Sequence, residues 1–87
     1  YLTDLEFTSS AAKIIRKLDK KTKKRLKLAV DKLREVPPIG DIKSLKGYHG
    51  ILRCRVGDWR IIFKQDLENN KLIILDIDTR GDVYKKL

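Results

Sequence analysis

Three arginines lie within one strand-like segment, LRCRVGDWRIIF, which covers residues 52–63. Successive residues of a strand point to opposite faces, so Arg53 and Arg55 share one face, and Arg60 on the following strand joins them. The same alternation adds Arg80, at the end of the last strand-like segment. Guanidinium groups on one face repel one another unless an anion binds, and their planar fork matches pairs of phosphate oxygens. We therefore expect this face to bind a polyanion.

Carboxylates near these arginines offer a structural alternative, in which each guanidinium is neutralised by an ion pair. Asp78 is the most informative of them, because it shares the predicted arginine face and its carboxylate can also accept a proton. Both a salt-bridge role and a general-base role are open for Asp78. The carboxylates available for pairing are Asp58, Asp76, Asp78 and Asp82.

The composition favours a polyanionic partner. The 87 residues include 21 Lys and Arg against 12 Asp and Glu, a formal net charge of +9. A nucleic acid is the leading partner for such a chain, and an acidic protein or an anionic membrane surface are its competitors. No apolar run reaches the roughly 18–20 residues that span a bilayer, so we do not expect a membrane-embedded protein.

The few sulfur and imidazole groups limit the possible chemistry. Cys54 is the single cysteine, which excludes an internal disulfide and fits a reducing cytoplasm. His49 is the single histidine, so a structural zinc site is not expected. The chain shows no signal-peptide pattern. It starts at Tyr1 and contains no methionine, so we expect native residues before Tyr1.

Two helices are predicted after an opening strand over residues 1–7. Ser9 or Ser10 is suited to cap the first helix and Asp19 the second, and a Pro-Pro pair ends the second helix. The predicted apolar faces are Ala11, Ile14, Ile15 and Leu18 in the first helix, and Leu26, Ala29, Val30 and Leu33 in the second.

The predicted helices are strongly basic. Eleven Lys and Arg but only two Asp fall between Lys13 and Arg34. This surface is either a solvated outer face or a surface that docks on phosphates, since the imbalance exceeds what solubility requires.

Strand signals dominate the second half of the chain. Gly57-Asp58 joins two strands, and glycine at the first central position suits a type II′ hairpin turn. A further strand follows over KLIILDIDTR, for which alternation places Ile73, Leu75 and Ile77 together. We predict one α+β domain over residues 1–87, ordered strand, two helices and three antiparallel strands. The helical hairpin covers one face of the sheet and leaves the arginine face open, at least in part.

The segments LKGYHGILRCRVGDWRIIF and IDTRGDVY resemble the RelE/ParE superfamily of toxins from type II toxin–antitoxin pairs. The resemblance covers the whole chain and implies a small antiparallel sheet with two helices on one side. RelE-type members are ribosome-dependent endoribonucleases (mRNA interferases) that arrest growth. They cut mRNA in the decoding site by attack of a 2′-hydroxyl, which leaves a 2′,3′-cyclic phosphate.

The resemblance implies roles for five residues at matching positions. Arg53 and Arg55 would hold and activate the RNA, although RelE proteins often have lysines there. Arg60 would contact the scissile phosphate. Arg80 would complete the cationic site and Tyr84 would stack on a base.

The remaining candidates carry weaker signals. Lys43 and Lys46 either extend the phosphate track or are solvated, and Tyr48 either stacks on RNA or packs on its own loop. His49 has no evident partner and is interpreted as structural. Trp59 faces the helices and is predicted to belong to the core.

The resemblance also implies partners. These are a cognate antitoxin, the ribosome with its mRNA, and operator DNA through the antitoxin alone. No metal or organic cofactor is expected, because the arginines fill the electrostatic role. Two alternatives stay open: a ParE-type protein that inhibits DNA gyrase without cutting RNA, and an RNA-binding module without catalysis.

Overall fold

Two helices and a five-stranded sheet are formed by residues 1–79, the part of the chain that the computed structural model describes. The strand order across the sheet is β1-β5-β4-β3-β2. The elements in chain order are β1 (Asp4–Phe7), α1 (Ser9–Arg16), α2 (Lys20–Leu33), β2 (Asp41–Ser44), β3 (Leu52–Val56), β4 (Trp59–Asp66) and β5 (Lys71–Asp78).

The predicted α+β class is confirmed, and the sheet differs from the prediction in two respects. β1 pairs with β5 in parallel, so the sheet is mixed, while β3, β4 and β5 are antiparallel as expected. β2 was not predicted. Its sequence, DIKS, has one apolar residue and no alternation, and β2 is an edge strand defined by its pairing with β3.

The first helix begins one residue earlier than expected. Thr8 is its N-cap: the Thr8 hydroxyl accepts a hydrogen bond from the Ala11 amide at 3.3 Å and donates one to the Leu75 carbonyl at 2.6 Å. The prediction of Ser9 or Ser10 was therefore wrong, because the contact with β5 selects the capping residue. Asp19 occupies the N-cap of α2, as predicted.

The core lies between the helices and one face of the sheet. Both predicted helix faces are confirmed, and Trp59 packs against this core as expected. Among the described residues, neither helix is long and apolar enough to cross a membrane. The buried residues of the core are Leu2, Ala11, Leu26, Val30, Leu33, Cys54, Ile61, Phe63, Leu72, Ile74 and Ile77.

β5 contains an irregularity at Leu75. Ile62 of β4 pairs with Asp76, whereas the adjacent Phe63 pairs with Ile74, so Leu75 is an extra residue in the ladder. Such a bulge reverses the facing of all residues on one side of it. The prediction that Ile73 and Leu75 share a face with Ile77 was therefore wrong. The β5 residues in the core are Leu72, Ile74 and Ile77.

Candidate nucleic-acid interface

The sheet register brings two of the predicted arginines side by side. Arg55 of β3 lies directly opposite Arg60 of β4. Asp41 flanks Arg55 on β2, and Asp78 flanks Arg60 on β5. Residues opposite each other in antiparallel strands share a face, with Cβ atoms about 4.5–5.5 Å apart. The resulting row, which we call the arginine row, has two guanidinium groups at its centre and a carboxylate at each end.

A second row on the same face contains Arg53. Arg53 lies opposite Lys43 on one side and Ile62 on the other, and Ile62 lies opposite Asp76. This row is two residues, about 6.5 Å, from the arginine row along the strands. Ile62 is 0% exposed and Asp76 3% exposed, so this face is covered at its middle and is open only in part.

Arg53 is mostly buried, and residues 1–79 leave one of its donors without an acceptor. Its side chain is 13% exposed, and its Nη2 lies 3.6 Å from Asp41 Oδ1, which is beyond a good hydrogen bond. Its Nε is buried and has no hydrogen-bond partner among residues 1–79. A buried donor is rarely left without an acceptor, because the loss costs about 1–3 kcal/mol, so the Nε favours an acceptor outside residues 1–79.

Arg60 is oriented by the end of β5, and Arg55 is exposed. Arg60 Nη1 donates to the Thr79 carbonyl at 3.0 Å. Gly57 has a φ of +60°, which fits the predicted hairpin turn after β3. An open polar depression of about 600 Å³ lies at this turn and could hold a phosphate group. It is lined by Arg55, Gly57, Asp58, Arg60 and Thr79.

The loop between β2 and β3 forms a second depression, at the opposite end of β3 from the Gly57 turn. Its volume is about 620 Å³, and Tyr48 and His49 are among the residues that line it. The Tyr48 amide donates to the Leu45 carbonyl at 3.2 Å, which closes the loop tightly. Lys46 is exposed in the same loop. The fold therefore separates these loop residues from the arginine row instead of gathering them around it.

Not every predicted site residue falls within the described part of the chain. Arg80, Asp82 and Tyr84 lie outside residues 1–79, so the structure brings together three of the four predicted arginines. Asp78, at the β5 end of the arginine row, is described, and its Oδ1 accepts a hydrogen bond from the Thr79 amide at 2.7 Å.

Asp41 was missed by sequence reasoning. It was not among the carboxylates considered for pairing, yet it ends the arginine row and is the ion-pair partner of Arg53. The signal was absent because β2 itself carries no strand pattern, and Asp41 reaches Arg53 only through that strand.

Residues 1–79 favour neither metal-ion binding nor cysteine chemistry. Residues 1–79 contain no group of three or more His, Cys, Asp or Glu side chains placed to hold a metal ion. The Cys54 thiol is buried in the core, and burial raises its pKa, so the thiolate nucleophile is disfavoured.

The helix side of the molecule has a concave surface that is apolar, in contrast to the polar depression at the Gly57 turn. An apolar groove of about 350 Å³ lies between β1 and the helices. Leu5 and Phe7 of β1 are each 37% exposed and line it. The other apolar lining residues are Ile15, Leu18, Leu26, Val30 and Ile77, and the charged ones are Lys23, Lys27, Asp31 and Arg34.

The helix pair on one face of the mixed sheet, with arginines on the other, defines a small basic α+β domain of the RelE-like class. A family model described as the ParE toxin of the type II toxin–antitoxin system, parDE, matches residues 5–84. The chain therefore belongs to this toxin family, within the RelE/ParE superfamily that the sequence motifs resemble. The search among curated proteins found no match.

Solved structures of RelE proteins have the same fold. The archaeal RelE–RelB complex from Pyrococcus horikoshii OT3 aligns with a TM-score of 0.76 at 23% identity, over 93% of this chain and 98% of that chain. The RelB–RelE complex from Methanococcus jannaschii gives 0.71 at 25% identity, over 94% and 98%. The isolated E. coli RelE toxin gives 0.75 at 23% identity, over 95% and 92%.

Proposed function

We propose that this toxin is a ribosome-dependent endoribonuclease that cleaves mRNA in the A site. The observation that carries the proposal is the pair of Arg55 and Arg60, side by side over an open polar depression. Beside them, Arg53 keeps a buried donor without a partner among the described residues. Single-stranded RNA offers both phosphates and unstacked bases to such a surface. In an RNA duplex the bases are paired and stacked, so only the phosphates and sugars are accessible.

The proposed reaction needs charge stabilisation more than any other contribution. The 2′-oxygen of one nucleotide attacks the adjacent phosphorus while the bond from phosphorus to the 5′-oxygen breaks, which gives a 2′,3′-cyclic phosphate and a 5′-hydroxyl. Negative charge grows on the non-bridging oxygens, and Arg55 and Arg60 would stabilise it more in the transition state than in the ground state. Arg80 would add a further cation and Tyr84 would stack on a base.

Proton transfer requires a group other than arginine, which stays protonated in proteins. Asp78, next to Arg60 in the register, either accepts the 2′-hydroxyl proton or only orients Arg60. Asp78→Asn separates the two roles. Loss of the acidic limb of the pH–rate profile would identify Asp78 as the base, whereas an unchanged profile with a lower rate would assign it an orienting role.

The remaining predicted contacts would bind the flanking nucleotides. Lys43 lies opposite Arg53, so the two together would hold the phosphate next to the scissile one. Lys46 and Tyr48 are placed at the far end of β3, where they would contact a nucleotide further along the strand.

The test of this proposal is primer extension on cellular mRNA after induction of the toxin. We expect cuts within codons of translated messages. The matched control is the same message with its start codon mutated, because ribosome-dependent cleavage requires translation. Growth arrest with uncut mRNA would contradict the proposal.

A gyrase inhibitor of the ParE type is the second candidate, and the match to the ParE toxin family favours it. This function needs no proton acceptor, which suits a site built from arginines. A supercoiling assay with purified toxin separates the candidates: inhibition of gyrase without new 5′-hydroxyl ends in mRNA would select the ParE-type function.

We also propose that a cognate antitoxin binds this toxin through the apolar groove beside β1. The P. horikoshii and M. jannaschii relatives are complexes with RelB. An amphipathic segment with acidic flanks fits the groove, because Lys23, Lys27 and Arg34 outnumber Asp31 among its lining residues. The net charge of +9 would also speed association with an acidic partner.

Phe7→Asp tests the antitoxin proposal. We expect antitoxin affinity to fall about 10- to 100-fold, since burial of a large apolar side chain contributes about 1.5–3 kcal/mol. Leu67→Asp is the control, because Leu67 is 61% exposed and does not line the groove. Equal antitoxin affinity of the two variants in calorimetric titration would reject the groove as the binding site.

A further inference from the structure

Arg25 of α2 lies against the hairpin turn that carries the arginine row. A Cβ atom placed on Gly57 would collide with Arg25 Nη2 and would lie only 2.9 Å from Arg25 Cζ. The guanidinium therefore rests on the bare backbone of the turn. Glycine at position 57 allows both the φ of +60° and this close approach.

Arg25 is a cation without an ion pair in the described part of the protein. No carboxylate among residues 1–79 forms an ion pair with it, although Asp58 is next to Gly57 in the chain. Its side chain is exposed. A third arginine beside Arg55 and Arg60 adds like-charge repulsion, which a bound anion would relieve.

The Gly57 turn is therefore flanked by cations from two layers of the fold. Arg55 and Arg60 line the depression on the open face of the sheet, and Gly57 lines it too. Arg25 reaches Gly57 from the helix layer. A flexible polyanion that leaves the arginine row across the turn meets Arg25 next.

We propose that Arg25 binds a phosphate of the same RNA strand that occupies the arginine row. The RNA strand then passes over the Gly57 turn towards α2, instead of ending on the open face of the sheet. This inference rests on the proposed binding of RNA and adds the direction in which the strand leaves the site.

The test compares Arg25→Gln with Lys24→Gln. Each variant removes one positive charge from α2, so long-range attraction falls equally, but successive helix residues point about 100° apart. Both variants and the wild type are titrated with a single-stranded 2′-O-methyl RNA, which lacks the attacking hydroxyl, over a range of NaCl concentrations. Arg25→Lys is a third variant that keeps the charge.

We expect Arg25→Gln to lower the slope of log affinity against log salt concentration by about 0.7, the value for one phosphate contact on a single strand. Lys24→Gln and Arg25→Lys should keep the wild-type slope. Circular dichroism melting identifies a structural role: a lower melting temperature for Arg25→Gln with an unchanged slope would overturn the proposal.

The outcomes also separate this inference from the proposed function. Equal slopes for Arg25→Gln and Lys24→Gln would overturn the role of Arg25 and leave RNA binding intact. A wild-type protein that does not bind the RNA would overturn the Arg25 contact, whereas ribosome-dependent cleavage is decided separately by primer extension. A slope change specific to Arg25, in a toxin that leaves mRNA uncut, would support the Arg25 contact and reject only the cleavage.

Discussion

Two neighbouring rows of residues cross the same four strands and face opposite sides of the sheet. The helix-side row is buried at its centre, with Cys54 2% and Ile61 0% exposed, whereas Arg55 in the arginine row is exposed. Each residue of one row is next in the chain to a residue of the other. The rows are Ile42, Cys54, Ile61 and Ile77, and Asp41, Arg55, Arg60 and Asp78.

This contrast shows how the domain divides stability from binding. Burial of the helix-side row excludes water and contributes free energy of folding, while the arginine row collects like charges that add little to it. Changes in the two rows should therefore have separable effects, although the altered residues are adjacent in the chain.

Arg60→Ala should produce the largest effect on activity. We expect cleavage of translated mRNA to fall about 10²- to 10³-fold, by analogy with removal of one donor from an oxyanion site. Growth arrest should be lost as well. The fold should be retained, because the substitution removes the side-chain hydrogen bond to the Thr79 carbonyl but keeps the backbone pairing of β4. Wild-type cleavage by a folded Arg60→Ala protein would remove Arg60 from the site.

Ile61→Ala, one residue further along the chain, should lower the stability of the fold and leave RNA binding unchanged. Truncation of a fully buried isoleucine costs about 2–5 kcal/mol of unfolding free energy, a large part of the stability of a small domain. Urea denaturation measures it. The fraction that remains folded should bind RNA with wild-type affinity, and weakened binding by that fraction would show that the two rows are not independent.

Asp41→Asn should have a smaller effect and the opposite sign. Asp41 lies 3.6 Å from Arg53 and is 60% exposed, so its carboxylate offsets part of the arginine charge. We expect RNA affinity to rise about two- to fivefold, the range of an exposed ion pair. Fluorescence anisotropy with the 2′-O-methyl RNA measures this change, and weaker binding would mean that Asp41 is needed to orient Arg53.

Lys64→Gln should have the smallest effect. Lys64 is exposed and lies opposite Ile73, on the arginine side but outside both arginine-containing rows. Its loss should change RNA affinity less than about twofold and stability by less than about 0.5 kcal/mol. An effect as large as that of Arg60→Ala would mean that net charge, and not the register of the arginines, determines binding.

Alternation in the sequence was sufficient to predict the faces of β3 and β4. Arg53, Arg55 and Arg60 share one face because these strands have no bulge between the arginines. The same rule failed in β5, since Leu75 is an extra residue in the ladder. Periodicity cannot reveal such a bulge, because Leu75 continues the apolar run over residues 72–74.

Tertiary contacts explain the other differences from the sequence prediction. Thr8, and not Ser9 or Ser10, caps α1 because its hydroxyl also reaches the Leu75 carbonyl. Asp41 joins the arginine row through β2, which exists by pairing with β3. Arg25 contacts Gly57 across two layers of the fold, and no pattern in the sequence predicts this contact.

The parallel pairing of β1 with β5 has a consequence for the biosynthesis of the toxin. Phe7 pairs with Ile74, so a chain growing from its amino end holds β1 without a neighbour until β5 has been translated. Ile77, which lines the apolar groove with Leu5 and Phe7, is made later still. The nascent polypeptide therefore has neither a finished sheet nor a finished groove until β5 has been synthesised.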